Sequence, residues 1–163
     1  MSLKKIIFLA VPAVVFIIDQ ISKRYITSAF RLHESLEVIP DFFQITYIQN
    51  KGAAFGILSE VDSPWVAPFF VAMTLTATGA LLWLYYKASP KNFFLLFGLT
   101  LLLGGAMGNF ADRLLLGSVV DFLDVHWKEH HWPAFNVADS AITVGIFLFV
   151  LDVFLNGHGE KGS

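Results

Sequence analysis

The sequence predicts an all-α integral membrane protein with four transmembrane helices and a small β element between the first two helices. Hydrophobic residues make up 56% of the chain and charged residues only 15%, which is far from the composition of a soluble domain. Two segments without a charged residue, 65–86 and 92–111, are each long enough to cross roughly 30 Å of hydrocarbon at about 1.5 Å per residue. We expect a single membrane domain over residues 1–163.

The first and fourth apolar runs are shorter, so each must include polar neighbours to span the membrane. Residues 6–18 reach only about 20 Å as a helix, and residues 140–151 about 18 Å. The first run follows two lysines and resembles a secretory signal, but three further apolar runs follow it, so we interpret it as an uncleaved anchor. With their neighbours included, the spans are predicted at about residues 6–24, 65–86, 92–112 and 136–155.

Polar residues of three spans are expected on one side of the membrane. If the helices alternate in direction, the end of the first, the end of the third and the start of the fourth share a face. Lysines are denser in the short segments of the opposite face, which the positive-inside rule places in the cytoplasm together with both termini. On the polar, outer side, residues 42–50 alternate apolar and polar side chains, and this pattern predicts a β element at about residues 37–58.

Composition and missing motifs exclude several classes of function. The net charge is −2 and basic residues do not cluster with aromatic ones, so nucleic acid is not an expected partner. The chain has no cysteine, so its chemistry must come from oxygen and nitrogen groups. The sequence also lacks the G-x-S-x-G, H-E-x-x-H, P-loop and G-x-G-x-x-G motifs.

Asp139 stands at the start of the fourth span and is the first candidate for chemistry. Inserting a carboxylate into the membrane costs about 2.5 to 3.5 kcal/mol at the centre of a helix and less toward its ends. A carboxylate in a span therefore indicates a functional group that has a partner nearby. The alternative is a helix N-cap, although Asn136 can cap equally well. Two adjacent carboxyls share a proton and can activate a water, and either Asp121 or Asp124, in the preceding loop, could be the second.

Asn109 and Arg113 lie at i and i+4 of the third span, on one helical face. In one interpretation, Arg113 forms an ion pair with Asp112 or Asp19 that only neutralises charge at the interface. In the other, Arg113 binds a substrate carbonyl or a lipid phosphate, for which the guanidinium has a suitable fork of donors.

Residues 126–131, HWKEHH, contain an H-x-x-E-H pattern that favours a different chemistry. On a helix, His126 and His130 could bind zinc with His131, Asp121 or Asp124 as third ligand, but this stretch lies in a polar loop close to Pro133. The alternative is an exposed loop at headgroup level. A small transporter or proton relay would also need acids in the membrane, but the lower parts of the third and fourth spans offer few polar side chains for such a path.

Five segments resemble the signature segments of bacterial lipoprotein signal peptidase, also called prolipoprotein or type II signal peptidase. They are DQISK at 19–23, NKGAAFGIL at 50–58, GGAMGNFADR at 104–113, VVDF at 119–122 and FNVADSAITVG at 135–145. The segments occur in the family's order and run from the first span through the fourth. The resemblance implies an aspartic endopeptidase of the bacterial inner membrane with four helices, a periplasmic β-cradle and an active site near the periplasmic face.

The resemblance also implies roles by motif position. Asp121 and Asp139 would be the catalytic pair, which decides against Asp124. The enzyme would remove the signal peptide of a prolipoprotein by cutting immediately before a diacylglyceryl-modified cysteine, so its partners would be that precursor and membrane lipid. We expect no metal or other cofactor, and a monomer. The positions expected to bind substrate or to support the site are Asn50, Gly52, Asn109, Arg113, Asn136, Asp19 and Lys23.

Overall fold

The computed structural model describes residues 3–52 and 65–156, and within them it contains five helices and four strands. In chain order these are α1 (Leu3–Phe8), α2 (Ala10–Ala29), β1 (Ser35–Ile39), β2 (Phe43–Asn50), α3 (Val66–Lys87), α4 (Phe93–Leu116), β3 (Val119–Trp127), β4 (His130–His131) and α5 (Val137–Asn156).

Four helical segments are long and apolar enough to cross a membrane, which confirms the predicted number. They are Leu3–Ala29, Pro68–Lys87, Phe93–Leu116 and Val137–Asn156. Helices α1 and α2 together form the first of these, with a break at Leu9. Helix α4 ends where Gly117 takes a left-handed conformation with a φ of 71°, which glycine adopts without steric cost.

Helix α4 lies at the centre of the bundle and packs against α2, α3 and α5. Its glycines allow the close approach: an added Cβ at Gly98 would lie 2.9 Å from the carbonyl oxygen of Gly145 in α5, and one at Gly104 would lie 2.7 Å from the Cβ of Val15 in α2. In a bilayer, where lipid is as apolar as a leucine side chain, such small-residue faces let helices associate through close packing.

The cytoplasm-facing end predicted from the lysines holds a tight contact between α1 and α3. The Nζ of Lys5 donates to the carbonyl oxygens of Tyr85 and Tyr86 at 3.0 and 2.9 Å, and the Tyr85 hydroxyl donates to the carbonyl of Lys5 at 2.5 Å. The last carbonyls of a helix have no partner within it, and a cation satisfies them well. Lys5 therefore joins the start of the chain to the end of α3.

The strands form one antiparallel sheet in the order β1-β2-β3-β4. In the register of β2 with β3, Asn50 lies opposite Val119 and Ile48 opposite Asp121. Past β4 the chain continues along β3 as far as Phe135, which exchanges main-chain hydrogen bonds with Leu123. The sheet thus carries Asp121 to the point where α5 begins.

Two predictions about the sheet need correction. The class all-α is too narrow, and the β structure is not confined to the connection between the first two spans, because β3 and β4 follow α4. The loop expected around Asp121 and Asp124 is instead strand β3. This strand is buried on both faces, so the apolar and polar alternation of a half-buried strand is missing from its sequence. Of the predicted β element at 37–58, residues 53–58 lie outside the described residues.

Candidate active site

Two carboxyl groups from different elements line one cavity of about 270 Å³. Asp121 lies on β3 and is 3% exposed, and Asp139 lies in the first turn of α5. One end of the cavity is polar and the other is apolar, where Ile142 and Ile146 of α5 form the wall. The other lining residues include Asn50, Asn109, Arg113, Val119 and the segment 132–135.

Asn136 contacts both carboxyl groups and is fully buried. Its Nδ2 donates to Asp121 Oδ1 at 2.7 Å, and its main-chain N–H donates to Asp139 Oδ2 at 3.2 Å. Its Oδ1 in turn accepts the N–H of Asp139 at 2.9 Å. This reciprocal pattern is a capping box, so the N-cap of α5 is Asn136, and the alternative that Asp139 is itself the N-cap is wrong.

The electrostatic surroundings of Asp121 favour a shared proton. Burial, and after it the negative charge of nearby Asp139, raise the pKa of Asp121 from an ordinary 3.8 to about 7. Hydrogen bonds from Asn50 and Asn136 and the positive charge of Lys23 act in the opposite direction. Near neutral pH, protonated and ionised forms of Asp121 are therefore both populated.

Asn109 of α4 holds the other carboxyl group. Its Nδ2 donates to Asp139 Oδ1 at 2.8 Å, while its Oδ1 accepts from Lys23 Nζ at 3.0 Å and from Asn136 Nδ2 at 3.2 Å. An ammonium group can only donate, so Lys23 fixes which end of the Asn109 amide is the carbonyl. The NH₂ end is thereby directed to Asp139.

A buried ion-pair network lies directly behind the site. Lys23 Nζ is 2.9 Å from Asp19 Oδ2 and 2.9 Å from Asp112 Oδ2. Asp19 also accepts the N–H of Ala138 at 2.9 Å, and Asp112 accepts the N–H of Val120 at 3.1 Å. The network thus joins α2 and α4 to the first turn of α5 and to the strand that carries Asp121. Asp112 was not among the predicted site residues, and the DR pair at 112–113 indicated only an ion pair with Arg113.

Arg113 does not form that ion pair. Its Nη2 donates to the carbonyl of Gly52 at 3.1 Å, its Nη1 to the carbonyl of Asn109 at 3.4 Å, and its guanidinium lies over the ring of Phe70 at 5.0 Å. Both carboxylates proposed as its partners lie with Lys23 instead. Arg113 lines the cavity, and its buried Nε has no hydrogen-bond partner among the described residues.

Asn50 and Gly52 follow the end of β2 and close the site on the sheet side. Asn50 Nδ2 donates to Asp121 Oδ2 at 3.1 Å, and its Oδ1 accepts the N–H of Gly52 at 2.9 Å. Gly52 is buried, and its carbonyl holds Arg113 as described above. Seven of the nine predicted site residues therefore contact one another around the cavity, and Asp19 and Lys23 support them from behind.

Asp124 belongs to a separate cluster on β3. It accepts a hydrogen bond from Gln44 Nε2 at 2.6 Å and contacts His131 Nδ1 at 2.9 Å, and it is not among the residues of the cavity described here. The helix that the zinc alternative required is not formed: β3 carries His126, a turn follows with Lys128 at a φ of 55°, and β4 carries the next two histidines. Among residues 3–52 and 65–156, no three His, Asp or Glu side chains are grouped to hold a metal ion.

A membrane-spanning bundle with a buried and a half-buried carboxyl in one cavity, the buried one with a pKa raised to about 7, has the arrangement of an aspartic-type membrane peptidase. Comparison with known proteins gives the same class. The family model described as signal peptidase (SPase) II matches residues 11–155, and the chain belongs to that family.

Individual relatives match over nearly their whole length. The chain is 46% identical to a lipoprotein signal peptidase of Syntrophotalea carbinolica over 93% of this chain and 92% of that protein. It is 48% identical to one of Geobacter metallireducens over 90% of each. A solved structure titled as a bacterial membrane enzyme studied by the in meso method matches with a TM-score of 0.84 and 36% identity, covering 96% of this chain and 92% of that one.

Proposed function

We propose that this protein is an aspartic endopeptidase that removes the signal peptide from prolipoproteins by cutting immediately before a diacylglyceryl-modified cysteine. Membership of the signal peptidase II family supports the substrate and the bond that is cut. The observation that carries the proposal of Asp121 and Asp139 as the catalytic pair is that both line one cavity and both bind Asn136.

In the proposed reaction the two carboxyl groups hold one proton between them. The ionised carboxyl accepts a proton from a water molecule as that water attacks the scissile carbonyl carbon, and the protonated carboxyl donates to the carbonyl oxygen. When the tetrahedral intermediate collapses, the C–N bond breaks and the new amino group of the cysteine takes up a proton from the pair. Near neutral pH, the pKa of about 7 for Asp121 allows it to hold the shared proton.

The shape of the cavity supports a lipidated substrate. Its polar end holds Asp121 and Asp139, while Ile142 and Ile146 extend its wall along the membrane-spanning α5. A diacylglyceryl group remains in the bilayer, so the adjoining peptide bond reaches the protein at the depth where α5 begins. We assign to Arg113 the binding of a substrate carbonyl, because it lines the cavity and its buried Nε–H has no partner among residues 3–52 and 65–156. We further propose that the site faces the periplasm and that both termini are cytoplasmic.

The direct test changes each carboxyl group alone. Asp121→Asn and Asp139→Asn keep side-chain size but cannot exchange the shared proton, so cleavage of a diacylglyceryl precursor should fall by about 10²- to 10⁴-fold or more. The measurement is precursor cleavage by purified enzyme with a chelator present, which also tests for a metal requirement. Asp124→Asn, three residues further along β3 and in the separate cluster, is the matched control and should retain activity. Full turnover by either variant at 121 or 139 would refute the pair.

A further inference from the structure

The segment 132–135 extends the sheet beside β3 and lines the cavity. Two of its residues are hydrogen-bonded to β3. The N–H of Trp132 donates to Val125 O at 2.8 Å, and Phe135 donates its N–H to Leu123 O at 2.9 Å and accepts from the N–H of Leu123 at 2.8 Å. Where the chain is extended, main-chain groups of successive residues point to opposite sides. Trp132 and Phe135 both face β3 although they are three residues apart, so this alternation is interrupted between them. Because Phe135 faces β3, the groups of its neighbour Ala134 point away from that strand.

Within the described residues, Ala134 leaves both a main-chain donor and a main-chain acceptor of this edge unpaired. In the described parts of the chain, residues 3–52 and 65–156, neither its N–H nor its C=O makes a hydrogen bond, although the residue is half-buried and lines the cavity that holds Asp121 and Asp139. Pro133 beside it has no N–H to offer. A sheet edge with one unpaired donor and acceptor is a site where another extended chain can pair.

We infer that the precursor chain pairs with Ala134 as an added antiparallel strand, and that the pairing residue lies on the C-terminal side of the cut. The inference rests on the proposed function. In such a pair a single substrate residue exchanges both hydrogen bonds with Ala134: its N–H donates to the Ala134 carbonyl, and its C=O accepts from the Ala134 N–H. The pairing uses only main-chain groups. It therefore selects a substrate with an extended backbone and excludes proline at the substrate residue that pairs with Ala134.

The direction of the segment assigns the side of the cut. From Phe135, which pairs with Leu123, the edge runs to Trp132, which pairs with Val125 and is 59% exposed. In that direction β3 leads away from the end of α4. The signal peptide is apolar and the diacylglyceryl group is a lipid, so both must stay beside the membrane-spanning helices. Only the chain that follows the cysteine leaves in the direction of the sheet.

The substrate-side test is an ester scan with the unmodified enzyme. In synthetic diacylglyceryl precursor peptides, each of the four residues after the cysteine is joined in turn through an ester, which removes its N–H. One position should raise KM by about 3- to 10-fold, the loss of one main-chain hydrogen bond, with kcat changed less than twofold, and proline there should have a larger effect. Equal kinetics at all four positions, or sensitivity only before the cut, would overturn the inference.

The enzyme-side test uses Ala134→Pro, which removes the N–H of that residue. The variant should raise KM for the all-amide precursor by a similar factor. In this variant the sensitive ester should raise KM by a smaller factor, because the hydrogen bond to residue 134 has already been lost. Ala134→Gly keeps the N–H and should show the same sensitive ester position as the unmodified enzyme. If Ala134→Pro does not fold, the ester scan decides alone.

The outcome for this inference can be separated from that for the proposed function. If the ester scan is flat while Asp121→Asn and Asp139→Asn are inactive, the strand pairing is wrong and the catalytic pair stands. If those two variants still cleave the precursor, the catalytic pair is wrong whatever the scan shows.

Discussion

At the scale of single residues, Asn136 performs two tasks with one side chain. Its Oδ1 caps α5 through the N–H of Asp139, and its Nδ2 binds Asp121. The start of the helix and the relative position of the carboxyl groups are therefore determined together. The sequence pattern Asn-x-x-Asp suggested two interchangeable caps, whereas the contacts show that the asparagine caps the helix and the aspartate is left to face the cavity with Oδ1 bound by Asn109.

Asn50 provides a test of how the proton on Asp121 is controlled. Its hydrogen bond holds the pKa of Asp121 below the value that burial and the negative charge of Asp139 would otherwise give. In Asn50→Ala that pKa should rise above about 7, so the proton is kept to higher pH and the alkaline fall in kcat/KM should move upward. The measurement is the pH profile of precursor cleavage.

The matched control for this profile is Gln49→Ala. Gln49 precedes Asn50 on β2, but its side chain is exposed and donates to the Tyr47 hydroxyl at 2.9 Å. Its profile should match that of the unmodified enzyme. An alkaline limb that does not move in Asn50→Ala, or that moves to lower pH, would contradict the role given to Asp121.

Sequence reasoning named most charged residues of this site but missed Asp112, and the ion pair that it offered as one of two interpretations of Arg113 does not form. Spacing along a helix shows that Asn109 and Arg113 share a face, and this prediction agrees with their common place at the cavity. Spacing does not show how far α2 is rotated against α4, and that rotation brings Lys23, rather than Arg113, between the two aspartates behind the site. Ion pairs between helices depend on tertiary packing, which no local pattern records.

At the scale of secondary-structure elements, α4 positions the site by its close approach to two helices. An added Cβ at Gly108 would lie 2.5 Å from Asp19 Oδ2 and 3.1 Å from the Cβ of Ala138. The smallness of this glycine therefore lets Asp19 reach both Lys23 and the first turn of α5. Gly104 and Gly108 are spaced as in G-x-x-x-G, a pattern typical of close helix packing, and Gly108 also contacts the ion-pair network.

This packing predicts a loss of stability in Gly108→Ala. The methyl group must displace Asp19 or α5, and overpacking of this kind typically costs about 1–3 kcal/mol. Thermal unfolding in detergent should show a lower midpoint, and precursor cleavage should fall with it. Gly79→Ala is the control, because no atom of the described residues lies within 4 Å of an added Cβ there. Its midpoint should stay the same or rise, since alanine favours the helix by up to about 1 kcal/mol. Equal midpoints for the two variants would contradict the packing role.

The helices were more predictable than the strands, for a physical reason. A span must satisfy its main-chain groups internally and present apolar side chains to lipid, so length and hydropathy identify it. Strand β3 finds its hydrogen-bond partners in β2 and in the segment before α5, which are distant in sequence. Its side chains are covered on both faces, so the alternation that reveals a half-buried strand is missing, and only its valines and aromatic residues favour a strand.

At the scale of the whole molecule, polar contacts are concentrated at the two ends of the bundle. At one end, the Lys23 network joins α2, α4, α5 and the sheet. At the other, Lys5 joins α1 to α3. The ends differ in chemistry, since only the first holds the carboxyl pair and the sheet. Which end faces the periplasm therefore determines where a precursor can be cut.

The proposed orientation can be tested by cysteine labelling, because the natural chain has no cysteine. Val38, 49% exposed on β1, belongs to the sheet end, and Ser89, exposed between α3 and α4, belongs to the opposite end. If the sheet is periplasmic, a membrane-impermeant maleimide should label Val38→Cys on spheroplasts with an intact inner membrane, and it should label Ser89→Cys only after that membrane is opened. Precursor cleavage by both variants serves as the control for folding. The reverse labelling pattern would place the carboxyl pair on the cytoplasmic side, where a precursor whose mature chain has already crossed the membrane could not reach it.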